Sequence, residues 1–282
     1  MRLKHVAAAL AALLAPIAAS FVSPSVARAG SITVKGSDTM VVLGQRWAEE
    51  YMKAHKDTTI QIQGGGSGTG ISALINGTTD ICDASRAMKD AEKKQIEEKS
   101  TKPVTEVVVA KDGLSVYVNG TNGVKELSMP QLKGIFTGKI TNWKEVGGAD
   151  SKIIVYSREN SSGTYVFFKE HVLENADYTP RAQTLPGTAA VVNAVVKDKN
   201  AIGYGGAAYA KGLKILKVKK DDKAAAIEPT AATVKDGTYP LSRPLFFYTR
   251  HDVPAEGKAF IDWVLSAQGQ GIAEKVGYFP VK

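Results

Sequence analysis

Apolar residues fall into two regimes along the chain: one continuous run near the start, then short alternating or four-spaced groups. The run from Val6 to Phe21 is almost wholly apolar, follows Arg2 and Lys4, and leads to Ala27-Arg28-Ala29 ahead of Gly30. A basic start, a short apolar stretch and a small-x-small site together mark a cleavable export leader, so residues 1–29 are expected to lie outside the fold. The stretch is short for a bilayer anchor and contains Pro16, and no cysteine stands at the cut where a lipid would attach.

From Ser31 onward, strand-like and helix-like runs alternate. Ile32-Thr33-Val34 reads as a strand stopping at Gly36, and Leu43, Trp47 and Tyr51 stand four apart, as on one face of a helix over 41–54. Ile60-Gln61-Ile62-Gln63 alternates like a half-buried strand and runs into a glycine-rich stretch, 64–70, then a short helix, 71–75. A strand or turn is expected at Asp80-Ile81, a polar helix over 91–99, and two β-rich runs over 104–109 and 114–118. Beyond them, 129–136, 143–145, 165–173, 189–196 and 259–267 read as helical, while 153–156, 201–204 and 244–249 read as strands. The weakest pattern lies in 220–235. This is α/β order, and 282 residues suffice for two lobes with filled cores.

Composition narrows the chemistry. At 44% hydrophobic and 23% charged the mature chain is globular, and the single Cys82 excludes an intramolecular disulfide or a cysteine-rich zinc site. His5, His55, His171 and His251 are scattered with no pair at metal-ligand spacing, which argues against a zinc hydrolase. Losing the leader removes Arg2, Lys4 and Arg28 and no acid, lowering the net charge from +8 to +5. The remaining basic clusters abut acids, as in Lys217-Val218-Lys219-Lys220-Asp221-Asp222, so they read as solvated faces rather than a nucleic-acid surface.

One device recurs: a strand ends, glycine or small hydroxyl residues follow, and a helix begins. It occurs at Gly36-Ser37-Asp38-Thr39, at Gly64-Gly65-Gly66-Ser67-Gly68-Thr69-Gly70, and at Arg158-Glu159-Asn160-Ser161-Ser162-Gly163-Thr164. Helix N-termini present unpaired N–H donors and partial positive charge, hydroxyls add donors, and glycine admits close backbone approach. Arg158 adds a planar fork for two oxygens. Any one loop is explained as capping or a turn; three of them point to convergence on a tetrahedral oxyanion. The glycine-rich loop fits neither a nucleotide loop, which ends in Gly-Lys-Ser/Thr, nor a nucleophile elbow, because Thr69 follows Ser67 where glycine is needed.

These segments, with Asp80-Ile81-Cys82-Asp83-Ala84-Ser85-Arg86, resemble the phosphate-binding loops of periplasmic phosphate-binding proteins, the receptor components of high-affinity phosphate ABC importers. The similarity covers nearly the whole mature chain, and Arg158-x-x-x-Ser162-Gly163-Thr164 is its most specific part. The resemblance implies a two-lobed Venus-flytrap fold, lobe one being 30–117 with 243–282 and lobe two 118–242, with crossings near 116–119 and 239–245. It implies phosphate held between the lobes by Asp38, Thr39, Ser67, Ser85, Arg86, Arg158, Ser162, Gly163 and Thr164, with no metal and no cofactor. It further implies a monomer in the periplasm or medium that delivers to a membrane permease.

Family members often carry aspartate after the third-loop serine, as acceptor for the proton phosphate retains; here Arg86 follows Ser85. Asp38 is the expected substitute, with Asp80 and Asp83 behind it, because rejecting sulfate requires an acceptor facing an anion that has no proton to give. Two alternatives stay open on the sequence: a receptor for another oxyanion, and a secreted phosphatase on the same loops, for which no nucleophile-base pair is visible.

Overall fold

The computed structural model describes residues 30–281; the expected leader lies outside them. β1 (Gly30–Gly36), β2 (Thr58–Gln63) and β3 (Ile81–Ala84) run parallel, with β1 in the middle. Parallel neighbours need a crossover, and α1 (Val41–Ala54) and α2 (Ser67–Ile75) supply them. The four-residue spacing read from the sequence holds: α1 buries Leu43, Trp47 and Tyr51, joined by Gly44 and Ala48. Trp47 also donates its indole N–H to the Gly269 carbonyl at 2.7 Å, so its polar atom is satisfied inside the core.

After α3 (Asp90–Ser100), one 14-residue strand, β4 (Thr105–Val118), joins the two β-rich runs expected separately. Its first part lies antiparallel to β11 (Ser242–Thr249), from Thr105 opposite Thr249 to Gly113 opposite Ser242. From Leu114 it pairs instead with β8 (Ala201–Gly206), and from Val116 also with β9 (Lys214–Lys219). The change of partner falls between Gly113 and Leu114, within one strand that serves both sides. The chain comes back to β11 through a turn in which the Ser242 N–H donates to the Tyr239 carbonyl.

β6 (Ile154–Arg158) and β7 (Gln183–Leu185) complete a curled sheet in the order β2-β1-β3-β11-β4-β8-β6-β7. Beyond Leu216, β9 is flanked by β5 (Glu126–Ser128), parallel to it, on one edge and β10 (Ala226–Ile227), antiparallel to it, on the other. Helices α4 (Met129–Thr137), α5 (Gly163–His171) and α6 (Gly187–Lys197) flank the second part, with α7 (Ala231–Lys235) in the weakly patterned region. The single terminal helix expected over 259–267 is two, α8 (Ala255–Val264) and α9 (Ala267–Val276), because Ser266 caps a new start by accepting the Gly269 N–H.

The cores divide where β4 changes partner. Ile32, Leu43, Trp47, Ala110, Leu245 and Phe260 pack in one; Leu114, Val116, Phe136, Trp143, Phe168 and Leu241 pack in the other. Smaller clusters add to each side, one around Cys82, Ala84 and Phe246 and one around Tyr117, Val191 and Val195, and the molecule is two-lobed α/β, as the resemblance implied. No helix among the described residues is long and apolar enough to cross a membrane.

Candidate anion-binding site

The three loops meet. Thr39, after β1, places its Oγ1 2.8 Å from Thr164 Oγ1 in the first turn of α5. Ser85, after β3, stands with its Oγ 3.4 Å from both Thr164 Oγ1 and Ser67 Oγ at the start of α2. All four side chains are buried, and they come from both lobes.

Hydrogen-bond polarity shows what this cluster offers. A hydroxyl has one proton and two acceptor positions, so a fixed donor aimed at its oxygen leaves the proton for something else. Ser67 Oγ accepts the Ser85 N–H at 3.0 Å, Ser162 Oγ accepts the Tyr165 N–H at 3.2 Å, and Thr164 Oγ1 accepts Arg243 Nη2 at 3.1 Å. Ser162 is thereby the N-cap of α5, and the Gly163 and Thr164 N–H groups precede Val166, the first residue to donate within the helix, to the Ser162 carbonyl. Convergent hydroxyl and backbone donors at the starts of α2 and α5 are an oxyanion-binding chemistry.

Glycine is required where the loops touch. Gly66, with φ of 93°, lies so close to the facing loop that a Cβ would stand 2.5 Å from the Ser161 carbonyl oxygen. The next contact is a hydrogen bond, Gly68 N–H to Ser161 O at 2.8 Å. A Cβ on Gly163 would stand 2.3 Å from Ser67 Oγ.

Asp38 does not cap α1, whose N-cap is Met40 without a side-chain bond. Its carboxylate accepts the Gly65 N–H at 2.9 Å and Arg158 Nη2 at 2.8 Å, tying two loops of one lobe to the strand end of the other. Arg158 is 1% exposed and also donates to Thr188 Oγ1 at 2.8 Å and to both Glu159 oxygens. Burial works against the Glu159 charge, yet the hydrogen bond from Arg158 holds its carboxyl below the ordinary range. Tyr209 and Tyr278 fix the first loop from behind by donating to the Asp38 and Thr39 carbonyls.

Arg86 departs from expectation. Its guanidinium is locked on Glu92, at 2.7 and 2.8 Å, and on the Ala87 carbonyl, so it stabilises the start of α3 instead of joining the hydroxyls. The arginine that reaches the cluster is Arg243, opposite Asp112 across β4 and β11. Neither was expected, although a charged residue beside each apolar β run was the available signal. Asp83, a runner-up acceptor, is buried under the first loop, where Oδ1 accepts the Ser37 N–H at 3.0 Å. Burial pushes its carboxyl up to about 8, and Oδ2 has no partner among the described residues.

Residues 22–268 match the family described as the PBP superfamily domain, which is the class that divided cores, a shared strand and a site built by loops from both sides also define. Within it, the chain is 40% identical to the phosphate-binding protein PstS of Staphylococcus epidermidis over 259 residues, covering 88% of this chain and 78% of that one. Against PstS of Pseudomonas aeruginosa it is 36% identical over 270 residues, covering 89% and 83%. A putative phosphate ABC transporter substrate-binding protein from Clostridium perfringens, solved with bound phosphate, superposes with a TM-score of 0.82 at 34% identity, covering 90% of this chain and 100% of that one. The chain belongs to the PstS family of phosphate-binding proteins.

Proposed function

We propose that this protein captures inorganic phosphate between its lobes and delivers it to the membrane permease of an ABC importer. The observation that carries the reading is the convergence of Thr39, Ser67, Ser85 and Thr164 from both lobes, with each neighbouring hydroxyl pair within 3.4 Å, in a chain of the PstS family. The names of the relatives and the phosphate bound in the Clostridium structure support it.

In this reading Thr39, Ser67, Ser85, Ser162 and Thr164 donate hydroxyl bonds, Gly163 donates its N–H, and Arg158 supplies charge from the wall. Asp38, adjoining Thr39 and braced by Gly65 and Arg158, is the acceptor for the phosphate proton. Arg86, bound to Glu92, has no ligand role through its guanidinium. In this reading the chain first passes between the lobes near Gly113 and Leu114, where β4 exchanges β11 for β8. The work is binding, not catalysis, and the protein is exported by the leader at 1–29.

The test is calorimetry on mature protein stripped of phosphate, titrated with phosphate and separately with sulfate. One-site binding of phosphate at micromolar affinity or better, about −8 kcal/mol, with no heat from sulfate, is expected. Sulfate binding, or silence with both anions, overturns the reading.

A further inference from the structure

Arg243 and Asp112 are the most deeply buried ion pair among the described residues, with side chains 1% and 0% exposed. They stand opposite each other in register on β11 and β4, the two strands that run between the lobes. Arg243 gives Nε and Nη2 to Asp112 Oδ2, at 3.0 and 2.8 Å. Its remaining bonds are divided: Nη1 donates to the Ser85 carbonyl at 3.0 Å in one lobe, and Nη2 to Thr164 Oγ1 at 3.1 Å in the other. The guanidinium also lies against the Phe167 ring of α5, 5.4 Å from its centre.

A buried ion pair is a poor stabiliser, because desolvation offsets the attraction and apolar replacements are often neutral or better. Its position offers another account. One rigid planar fork touches the crossing strands, the third loop of lobe one and the first turn of α5 in lobe two. Asp112 holds the fork, and its Oδ1 has no partner among the described residues.

Resting on the phosphate reading above, the geometry points to Arg243 as a positioning residue that couples anion binding to lobe closure. The Ser85 carbonyl and the Thr164 hydroxyl come within reach of one guanidinium only while the lobes are together. The bond to Thr164 fills one acceptor position of that hydroxyl and leaves its proton available to the anion, so anion and arginine stabilise the same arrangement of Thr164. Separating the lobes breaks the bond and leaves a charged donor without its acceptor.

Two variants test this. Arg243→Lys keeps the charge but replaces the fork with a point, and the double variant Asp112→Asn with Arg243→Gln keeps a neutral hydrogen-bonded pair. Phosphate affinity is read by calorimetry, phosphate-induced compaction by small-angle X-ray scattering, and the ligand-free fold by thermal melting. Both variants are expected to melt cooperatively without phosphate, to bind phosphate at least tenfold more weakly than wild type, and to compact less at saturation. Affinity within twofold of wild type in a variant that melts cooperatively overturns the inference. Loss of the ligand-free fold in both variants overturns it too, since the pair would then be structural. A wild-type protein that binds no phosphate overturns the parent reading instead, so the two failures are distinct.

Discussion

Replacing Gly163 with alanine should separate binding from stability. Gly163 is the first residue of α5, in a helical turn that alanine adopts at least as readily as glycine. Its added Cβ would stand 2.3 Å from Ser67 Oγ, 2.8 Å from Ser85 Oγ and 2.9 Å from Ser67 Cβ, where ordinary contact begins near 3.4 Å. The nearest wall must therefore retreat by about 1 Å, and Ser67 Cβ cannot swing aside without moving the start of α2. Two hydroxyls displaced from a shared anion lose about 1 kcal/mol each, about 2 kcal/mol together, or roughly a thirtyfold weaker phosphate affinity. The ligand-free protein escapes the clash by keeping its lobes apart, so its melting temperature should not fall. Calorimetry with phosphate and melting without it measure the two quantities side by side. Affinity within twofold of wild type would refute the reasoning, because Gly163 would then not face Ser67 and Ser85 across the bound site.

Arg158→Ala removes the fork that ties Asp38, Thr188 and Glu159 together, and should weaken phosphate binding at least tenfold, about 1.4 kcal/mol. An affinity within twofold in the same titration would take Arg158 out of the site. Asp38→Asn should admit sulfate where wild type rejects it, since the amide can donate to an anion lacking a proton; unchanged selectivity would reassign the acceptor. Asp83 gives a pH signature: its carboxyl is raised from 3.8 to about 8 by burial, so the folded state holds a proton that the unfolded chain has released. That contribution is complete below the lower value and is lost as pH rises through the higher one. Asp83→Asn should therefore flatten the decline in melting temperature between about pH 5 and pH 8, and parallel curves for variant and wild type would exclude the effect.

What could be read from the sequence was local. Leu43, Trp47 and Tyr51 are four apart because one helix turns them toward one sheet, and they are buried as that spacing requires. The hydroxyl loops were legible for a similar reason: strand end, small residues and helix start follow one another in the chain. Arg243 and Asp112 lie 131 residues apart and meet only through the register of β11 on β4, which no nearby residue encodes. Arg86 misled because its position beside Ser85 placed it in the loop, while the direction of its side chain was decided by Glu92 six residues later. The single strand β4 was missed because Lys111 and Asp112 interrupt its apolar run: Lys111 pairs its backbone with Phe279, and Asp112 is neutralised by a partner from the far end of the chain.

The continuity of β4 and its pairing with β11 up to Gly113 also fixes how the lobes turn. Two antiparallel strands hydrogen-bonded as far as the crossing, with Leu114 N–H still donating to Leu241 O, form a ribbon there, and two-stranded ribbons take the largest twist. Lobe rotation is then a torsion about an axis along these strands, and displacement grows with distance from it. The Arg243 bonds and the Thr39–Thr164 contact join the lobes close to these strands and part only once the lobes have turned far, whereas exposed pairs such as Lys89 and Glu170, 4.0 Å apart, join them at the surface and part sooner. Small angular changes are registered last at the anion and first at the rim, so a partner gripping both lobes from outside holds the longer lever.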